Sequence, residues 1–136
     1  MPSLFSRIIQ GELPAYKVAE DERFLAFLDL FPLRHGHTLV VPKTEVDRFF
    51  DMPGDSLSGI LVFARPIVEA IEKAFPCRRV GISVIGLEVP HAHLHLVPMD
   101  SADDLNFTRP KLKPTELELA DARDRILQEL KRGHGG

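Results

Sequence analysis

The sequence predicts an α+β fold, with a meandering, mostly antiparallel sheet of about five strands, one long helix and several short helices. Two observations support this prediction. Short apolar runs bounded by glycine, proline or acidic turns recur between residues 16 and 97 and are typical of strands. Residues 55–75 keep apolar side chains at the three- and four-residue spacing of one helix face.

The first half of the chain supplies a short helix and three strands. Residues 4–10 predict the helix, which a following glycine and a proline end. Residues 16–20 and 24–28 predict two strands joined by an acidic turn. Residues 38–41 are a β-branched run between glycine and proline, which indicates a buried central strand. Residues 45–51 predict one or two helical turns.

The second half begins with the long helix at 55–75, which contains Pro66. We expect this proline to bend the helix without ending it, because the apolar stripe continues on both sides. Residues 80–85 and 93–97 predict two further strands joined by a short turn.

The C-terminal part is predicted to be a polar extension that ends in a helix. Residues 100–113 are polar and indicate an extended tail or loop. Thr115 and Glu118 have the spacing of a capping box, which opens a helix at about 115–131. We therefore expect a main domain over residues 1–100 and an extension over residues 101–136, with its helix packed on the same domain.

Composition limits the possible functions. With 136 residues, 44% of them hydrophobic, the chain fits one compact domain. A formal charge of −3 without a basic cluster argues against binding a nucleic acid polymer. One cysteine, Cys77, excludes an internal disulfide. No signal peptide or apolar stretch of roughly 20 residues is visible, so we expect a cytoplasmic protein without a membrane partner.

Three histidines dominate the chemistry of the sequence. Residues 91–97 read His-Ala-His-Leu-His-Leu-Val, so on a strand His91, His93 and His95 would share one face, each about 7 Å from the next. Solvation alone explains this poorly, since half of the six histidines lie there. Imidazole serves as nucleophile, acid, base or metal ligand near neutral pH. The pattern therefore indicates an enzyme.

One interpretation is a zinc-dependent hydrolase. A catalytic zinc takes three protein ligands and a water, but His91 and His95 would lie about 13 Å apart on a regular strand. The third ligand would then come from another part of the chain. The candidates in the sequence are His35, His37, Asp29 and Glu88.

The other interpretation is nucleophilic catalysis on a phosphoryl group. Three crowded imidazoles cannot all be cationic, so one stays free to attack while another carries a proton. The residues alone leave both interpretations open.

The triad spacing resembles the signature of the histidine triad (HIT) superfamily of nucleotide hydrolases and transferases. Residues 3–10, 20–29 and 36–43 are also similar to motifs of its Hint-like branch. The resemblance covers residues 3 to about 99 with four motifs in order. It implies a HIT-like fold and a two-fold homodimer.

The resemblance also implies roles for individual residues. His93 would form a covalent nucleotidyl intermediate that water hydrolyses, His95 would contact the transferred phosphate, and His91 would orient the nucleophile. Asp29 would accept hydrogen bonds from the ribose hydroxyls of an AMP-like purine nucleotide, and no cofactor is implied. The residues implied to form an apolar slot for the base are Leu4, Phe5, Ile8, Leu28 and Leu30.

Two departures from the family pattern affect these expectations. Ser3 and Ser6 stand where many bacterial members have the Cys-x-x-Cys of a structural zinc site, so we expect no such zinc. The turn before the triad is short and carries Leu87 and Glu88, which places a negative charge beside the expected phosphate. A nucleotide-binding regulatory module with little turnover therefore remains an alternative to the enzyme. His35 and His37 are interpreted as a surface and a structural histidine.

Overall fold

The computed structural model describes residues 2–135, so the outermost residues of the predicted parts 1–100 and 101–136 lie outside the described residues. In chain order the elements are α1 (Leu4–Ile9), β1 (Lys17–Glu20), β2 (Phe24–Leu28), β3 (Thr38–Pro42), α2 (Gly54–Ala74), β4 (Arg79–Ser83), β5 (Leu94–Met99) and α3 (Glu116–Gly135), with short 3-10 helices at Phe49–Asp51 and Ala102–Leu105. Over this range no helix is long and apolar enough to span a bilayer.

The five strands form one sheet in the order β1-β2-β3-β5-β4, and all neighbours are antiparallel. This confirms the predicted α+β class and places β3 at the centre. Strands β1, β2 and β3 are consecutive neighbours, as in a meander. Helix α2 then leads the chain to the edge strand β4, and β5 inserts between β3 and β4. In that position Leu39 of β3 pairs with His95 of β5.

Helices α2 and α3 cover one face of the sheet. They bury Ile60, Ile67, Ile71 and Ile126 in one apolar cluster with residues of β3 and β5, including Leu94 and Leu96. Since side chains alternate along a strand, His95 of β5 lies on the opposite face. That face carries a smaller cluster formed by Phe5, Ile8, Leu25, Phe27, Leu39 and Val41. The central strands are therefore buried on both sides, and His95 lies on the side of α1.

Two local predictions about the helices are confirmed. α2 runs without a break through Pro66 to Ala74. At the start of α3, the Glu118 amide donates to Thr115 Oγ1 at 3.1 Å and the Thr115 amide donates to Glu118 Oε1 at 2.9 Å. This reciprocal pair is the predicted capping box.

Several predicted boundaries differ from the observed ones, and α3 continues to Gly135 instead of ending at about residue 131. β5 begins at Leu94 rather than at residue 93, so His91 and His93 precede the strand and the triad does not lie along one strand face. The His91 ring, instead of a strand amide, donates to the Pro42 carbonyl at the end of β3. β4 ends at Ser83 rather than at residue 85. Residues 45–51 contain one short 3-10 turn, at Phe49–Asp51, which is within the predicted one or two turns.

Candidate active site

A cavity of about 600 Å³ opens on the face of the sheet that carries α1. Its walls come from α1, the ends of β2 and β3, the turn at residues 85–89, and residues 107–111 of the C-terminal extension. His93 and His95 line it, while His91 does not. The structure therefore brings two triad histidines to a pocket and places the third behind them.

The orientation of His93 follows from one hydrogen bond. Its Nδ1 lies 2.7 Å from the carbonyl oxygen of His91. A carbonyl only accepts, so Nδ1 carries the proton and donates, and the lone pair of the neutral ring is on Nε2. The ring is held edge-on against Phe5, with the centroids 5.0 Å apart. This tautomer is the one that a histidine nucleophile attacking through Nε2 requires.

His95 is fixed through a chain of hydrogen bonds that begins at the backbone. The Leu33 amide donates to His37 Nδ1 at 3.0 Å, so a neutral His37 carries its proton on Nε2. His37 Nε2 then donates to His95 Nδ1 at 2.9 Å. His95 must in turn carry its own proton on Nε2. It is therefore set as a hydrogen-bond donor.

Burial keeps this pair uncharged. The pKa of His37 is lowered to about 3, first by burial and then by the nearby His95. The pKa of His95 is lowered to about 4 by burial and by His93. Both rings are therefore neutral at pH 7, and His95 offers a donor without a positive charge.

The position of His37 depends on the glycine before it. Gly36 has a φ of +97°, which favours glycine, and a Cβ there would lie 2.8 Å from the Phe75 ring. His37 is fully buried, as the prediction of a structural histidine required, but it also orients a triad member. This second role was not predicted from the sequence.

His91 is held from both ring nitrogens. Its Nε2 donates to the Pro42 carbonyl at 2.7 Å, so its Nδ1 accepts from the Ser3 hydroxyl at 2.8 Å. Burial lowers the pKa of His91, which favours this neutral form. Because the His91 carbonyl binds the His93 ring, a fixed His91 also fixes the orientation of His93.

The two serines that replace the Cys-x-x-Cys belong to a hydrogen-bonded cluster with Glu45. Glu45 Oε1 accepts from the Ser3 amide and from the Ser6 hydroxyl, both at 2.7 Å. These hydrogen bonds lower the pKa of Glu45 to about 2, so its carboxylate stays charged. Glu45 was not predicted as part of the site, because nothing in the local sequence pattern links it to residues 3 and 6.

Asp29 lines the cavity, with one carboxylate oxygen near a backbone amide and the other near His37. Its Oδ1 accepts from the Phe31 amide at 2.9 Å, and its Oδ2 lies 3.7 Å from His37 Nε2. Burial raises the pKa of this carboxyl. One oxygen is thus committed to the loop, and the other is directed towards the histidine pair.

Asp29, His37 and His95 have ligand atoms within 4.8 Å of one another, which is close enough to share a metal ion. The hydrogen bonds oppose this use. A metal on His37 Nε2 would require the proton to move to Nδ1, where the Leu33 amide already donates. Of the other candidate ligands, His35 is exposed and Glu88 lies at the rim of the cavity.

All five residues of the expected base slot line the cavity: Leu4, Phe5, Ile8, Leu28 and Leu30. Phe5, Ile8 and Leu28 are buried, whereas Leu4 and Leu30 are about half exposed at the mouth. The structure therefore offers an apolar wall next to Asp29.

The C-terminal extension also contributes to the cavity, a position that the sequence left undecided. Phe107, Thr108 and Lys111 line the cavity, and the Phe107 ring lies 4.6 Å from the His95 ring. The Leu112 amide donates to the Pro32 carbonyl at 2.9 Å and holds this segment in place. The sequence signal for this contact was an aromatic side chain within a polar stretch, and it did not indicate where the segment would pack.

Comparison with known proteins identifies the family. A sequence model of the HIT domain matches residues 10–102. An uncharacterized HIT-like protein of Methanocaldococcus jannaschii is 37% identical over 132 residues, 94% of this chain and 98% of that protein.

Two solved structures share the fold. A hypothetical histidine triad nucleotide-binding protein from Sulfolobus tokodaii has a TM-score of 0.83 at 26% identity, covering 94% of this chain and 91% of that one. A HIT family hydrolase from Legionella pneumophila has a TM-score of 0.61 at 34% identity, covering 70% and 90%. The triad, the fold and these matches together show that the chain belongs to the HIT domain family.

Proposed function

We propose that this protein is a Hint-like nucleotide hydrolase or transferase that cleaves a purine nucleoside phosphoramidate or a related nucleotidyl ester. The observation that supports this most is the hydrogen bond from His93 Nδ1 to the His91 carbonyl, which leaves the Nε2 lone pair available beside a cavity. Membership of a family that includes a nucleotide-binding protein and a hydrolase supports the reaction class.

The proposed reaction has two displacements. His93 Nε2 attacks phosphorus, the bond to the leaving group breaks, and the leaving nitrogen or oxygen takes a proton from solvent. Water then attacks phosphorus and loses a proton to solvent, the bond to Nε2 breaks, and the nucleoside monophosphate is released. His95 Nε2–H donates to a non-bridging phosphoryl oxygen in both steps. A second acceptor in place of water would make the protein a transferase.

The other cavity residues fit the proposed nucleotide. The apolar wall formed by Leu4, Phe5, Ile8, Leu28 and Leu30 would take the base. Asp29 Oδ2 would accept from the ribose hydroxyls. The nucleotide we propose is AMP. Residues of the main domain and of the C-terminal extension would bind it together.

The proposal is tested with purified protein and an adenosine phosphoramidate that carries a fluorogenic amine. We expect release of the amine that is unaffected by a metal chelator. With substrate radiolabelled at phosphorus, acid quenching should leave label on the protein. Loss of release with chelator would instead support the zinc-dependent hydrolase. No release, with AMP still raising the melting temperature, would support the regulatory module.

We further propose that the chain forms a two-fold homodimer. Leu61 and Val62 on α2 and Ile82 on the edge strand β4 are at least half exposed, as an apolar interface requires. Sedimentation velocity is expected to give twice the monomer mass. A monomer at micromolar concentration would contradict this proposal.

The charge of Glu88 is expected to limit the choice of leaving group. Glu88→Gln should raise kcat/KM up to about fivefold for a substrate with an anionic leaving group, because a repulsive charge at the exposed rim is worth at most about 1 kcal/mol. The gain should fall with salt and be absent for a neutral amine. Glu22→Gln, at an exposed turn away from the cavity, is the matched control. Equal gains for both leaving groups would contradict this role.

A further inference from the structure

Three histidines at or next to the proposed phosphate site lack a positive charge. A phosphoryl group is an anion, yet burial keeps His37, His91 and His95 uncharged at neutral pH by lowering the pKa of each. The cavity also contains the carboxyl groups of Asp29 and Glu88. These three histidines therefore provide no positive charge for the bound anion.

Lys111 is positioned to supply that charge. Among the described residues that line the cavity, it is the one lysine or arginine. Its Nζ donates to the Phe107 carbonyl at 2.7 Å and lies 5.8 Å from the centre of the Phe107 ring. That ring in turn lies 4.6 Å from the ring of His95. An ammonium has three N–H donors, so the contact with Phe107 leaves donors for a ligand.

Hydrogen bonds within the chain hold the segment that carries Lys111. The Leu112 amide is bound to the Pro32 carbonyl, directly after Lys111. At the other end, the Asp104 carboxylate accepts from Arg34 at 2.9 Å and from Arg109 at 3.2 Å. The segment is therefore held against the loop before β3 from both sides, and binding needs little further ordering of its backbone.

We propose that Lys111 is a phosphate-binding residue, which pairs its ammonium with the phosphoryl group of the nucleotide while His95 adds an uncharged donor. This inference rests on the proposed function and deepens it. The site would then select nucleotides over nucleosides through a residue of the C-terminal extension rather than through the triad alone.

The test compares AMP with adenosine by isothermal titration calorimetry. Lys111→Met is expected to weaken AMP binding about 10- to 100-fold, the range for a lost hydrogen bond to a charged group. Adenosine affinity should change less than about twofold, because adenosine has no phosphate for the lysine to bind. Lys111→Arg should recover most of the AMP affinity. Lys113→Met removes the same charge from an exposed neighbour and should behave as wild type.

Each other outcome is informative. Equal AMP affinity in wild type and Lys111→Met would overturn the inference and leave the proposed function standing. Equal losses for AMP and adenosine would show that the lysine only supports the fold, which also overturns it. A wild type that binds neither ligand and releases no amine would overturn both proposals. The salt dependence of AMP binding gives a second measurement, since it should be weaker in Lys111→Met.

Discussion

Replacing His93 with alanine is expected to lower turnover of the adenosine phosphoramidate at least about a thousandfold, because the variant has no nucleophile to form the intermediate. AMP affinity should change less than about threefold, since the base wall, Asp29 and Lys111 are untouched. Steady-state kinetics and calorimetry measure the two effects. Acid-quenched label on the protein should disappear in parallel.

The matched control is His35→Ala, which makes the same change at an exposed histidine outside the cavity. It should retain full turnover. If His93→Ala kept turnover within tenfold of wild type, attack by this histidine would be refuted and water activation by another group would be favoured. Loss of AMP binding together with turnover would indicate a structural role for the ring.

The free energy of unfolding is expected to fall as the pH is lowered from about 6.5 to 4. In the folded protein the pKa values of His95 and His37 are about 4 and about 3, whereas an unfolded histidine has a pKa near 6.5. Over this range the unfolded chain binds protons that the folded chain excludes, so stability rises with pH. The stabilisation is complete above about 6.5 and is lost in acid, by up to about 1.4 kcal/mol per pH unit for each ring.

Urea denaturation at a series of pH values measures this slope. His37→Gln keeps an amide donor for His95 and removes one titrating ring, so the slope should fall by up to about 1.4 kcal/mol per pH unit. His35→Gln removes an exposed histidine and should leave the slope unchanged. A slope in His37→Gln equal to that of wild type would show that buried His37 does not control acid stability.

Regular elements were largely predictable because their signals are local. The apolar spacing in residues 55–75 and the capping pair Thr115 and Glu118 each depend on side chains within a few positions of one another. The strand at 24–28 was predicted with its observed bounds for the same reason. The family resemblance then directed attention to His93, His95 and the lining of the cavity.

The remaining parts of the site depend on contacts between distant residues. The histidine strand begins only at Leu94, and just before it the His91 ring binds the Pro42 carbonyl, a partner that no pattern near residue 91 reveals. Glu45 reaches Ser3 and Ser6 across a gap of about 40 positions. Lys111 lines the cavity because hydrogen bonds to distant residues hold its segment, whose sequence has no helical or strand periodicity. Such contacts are set by tertiary packing, so sequence spacing could not place them.

The bond between Ser3 and His91 also has a consequence for folding kinetics. It joins residues 88 positions apart, so a large loop must close before the ring is held. Local helices form in microseconds or less, whereas contacts of high sequence separation form later. A refolding chain would therefore regain helical structure before it could bind AMP. Binding of the proposed nucleotide would then report closure of this loop, a step separate from the recovery of secondary structure.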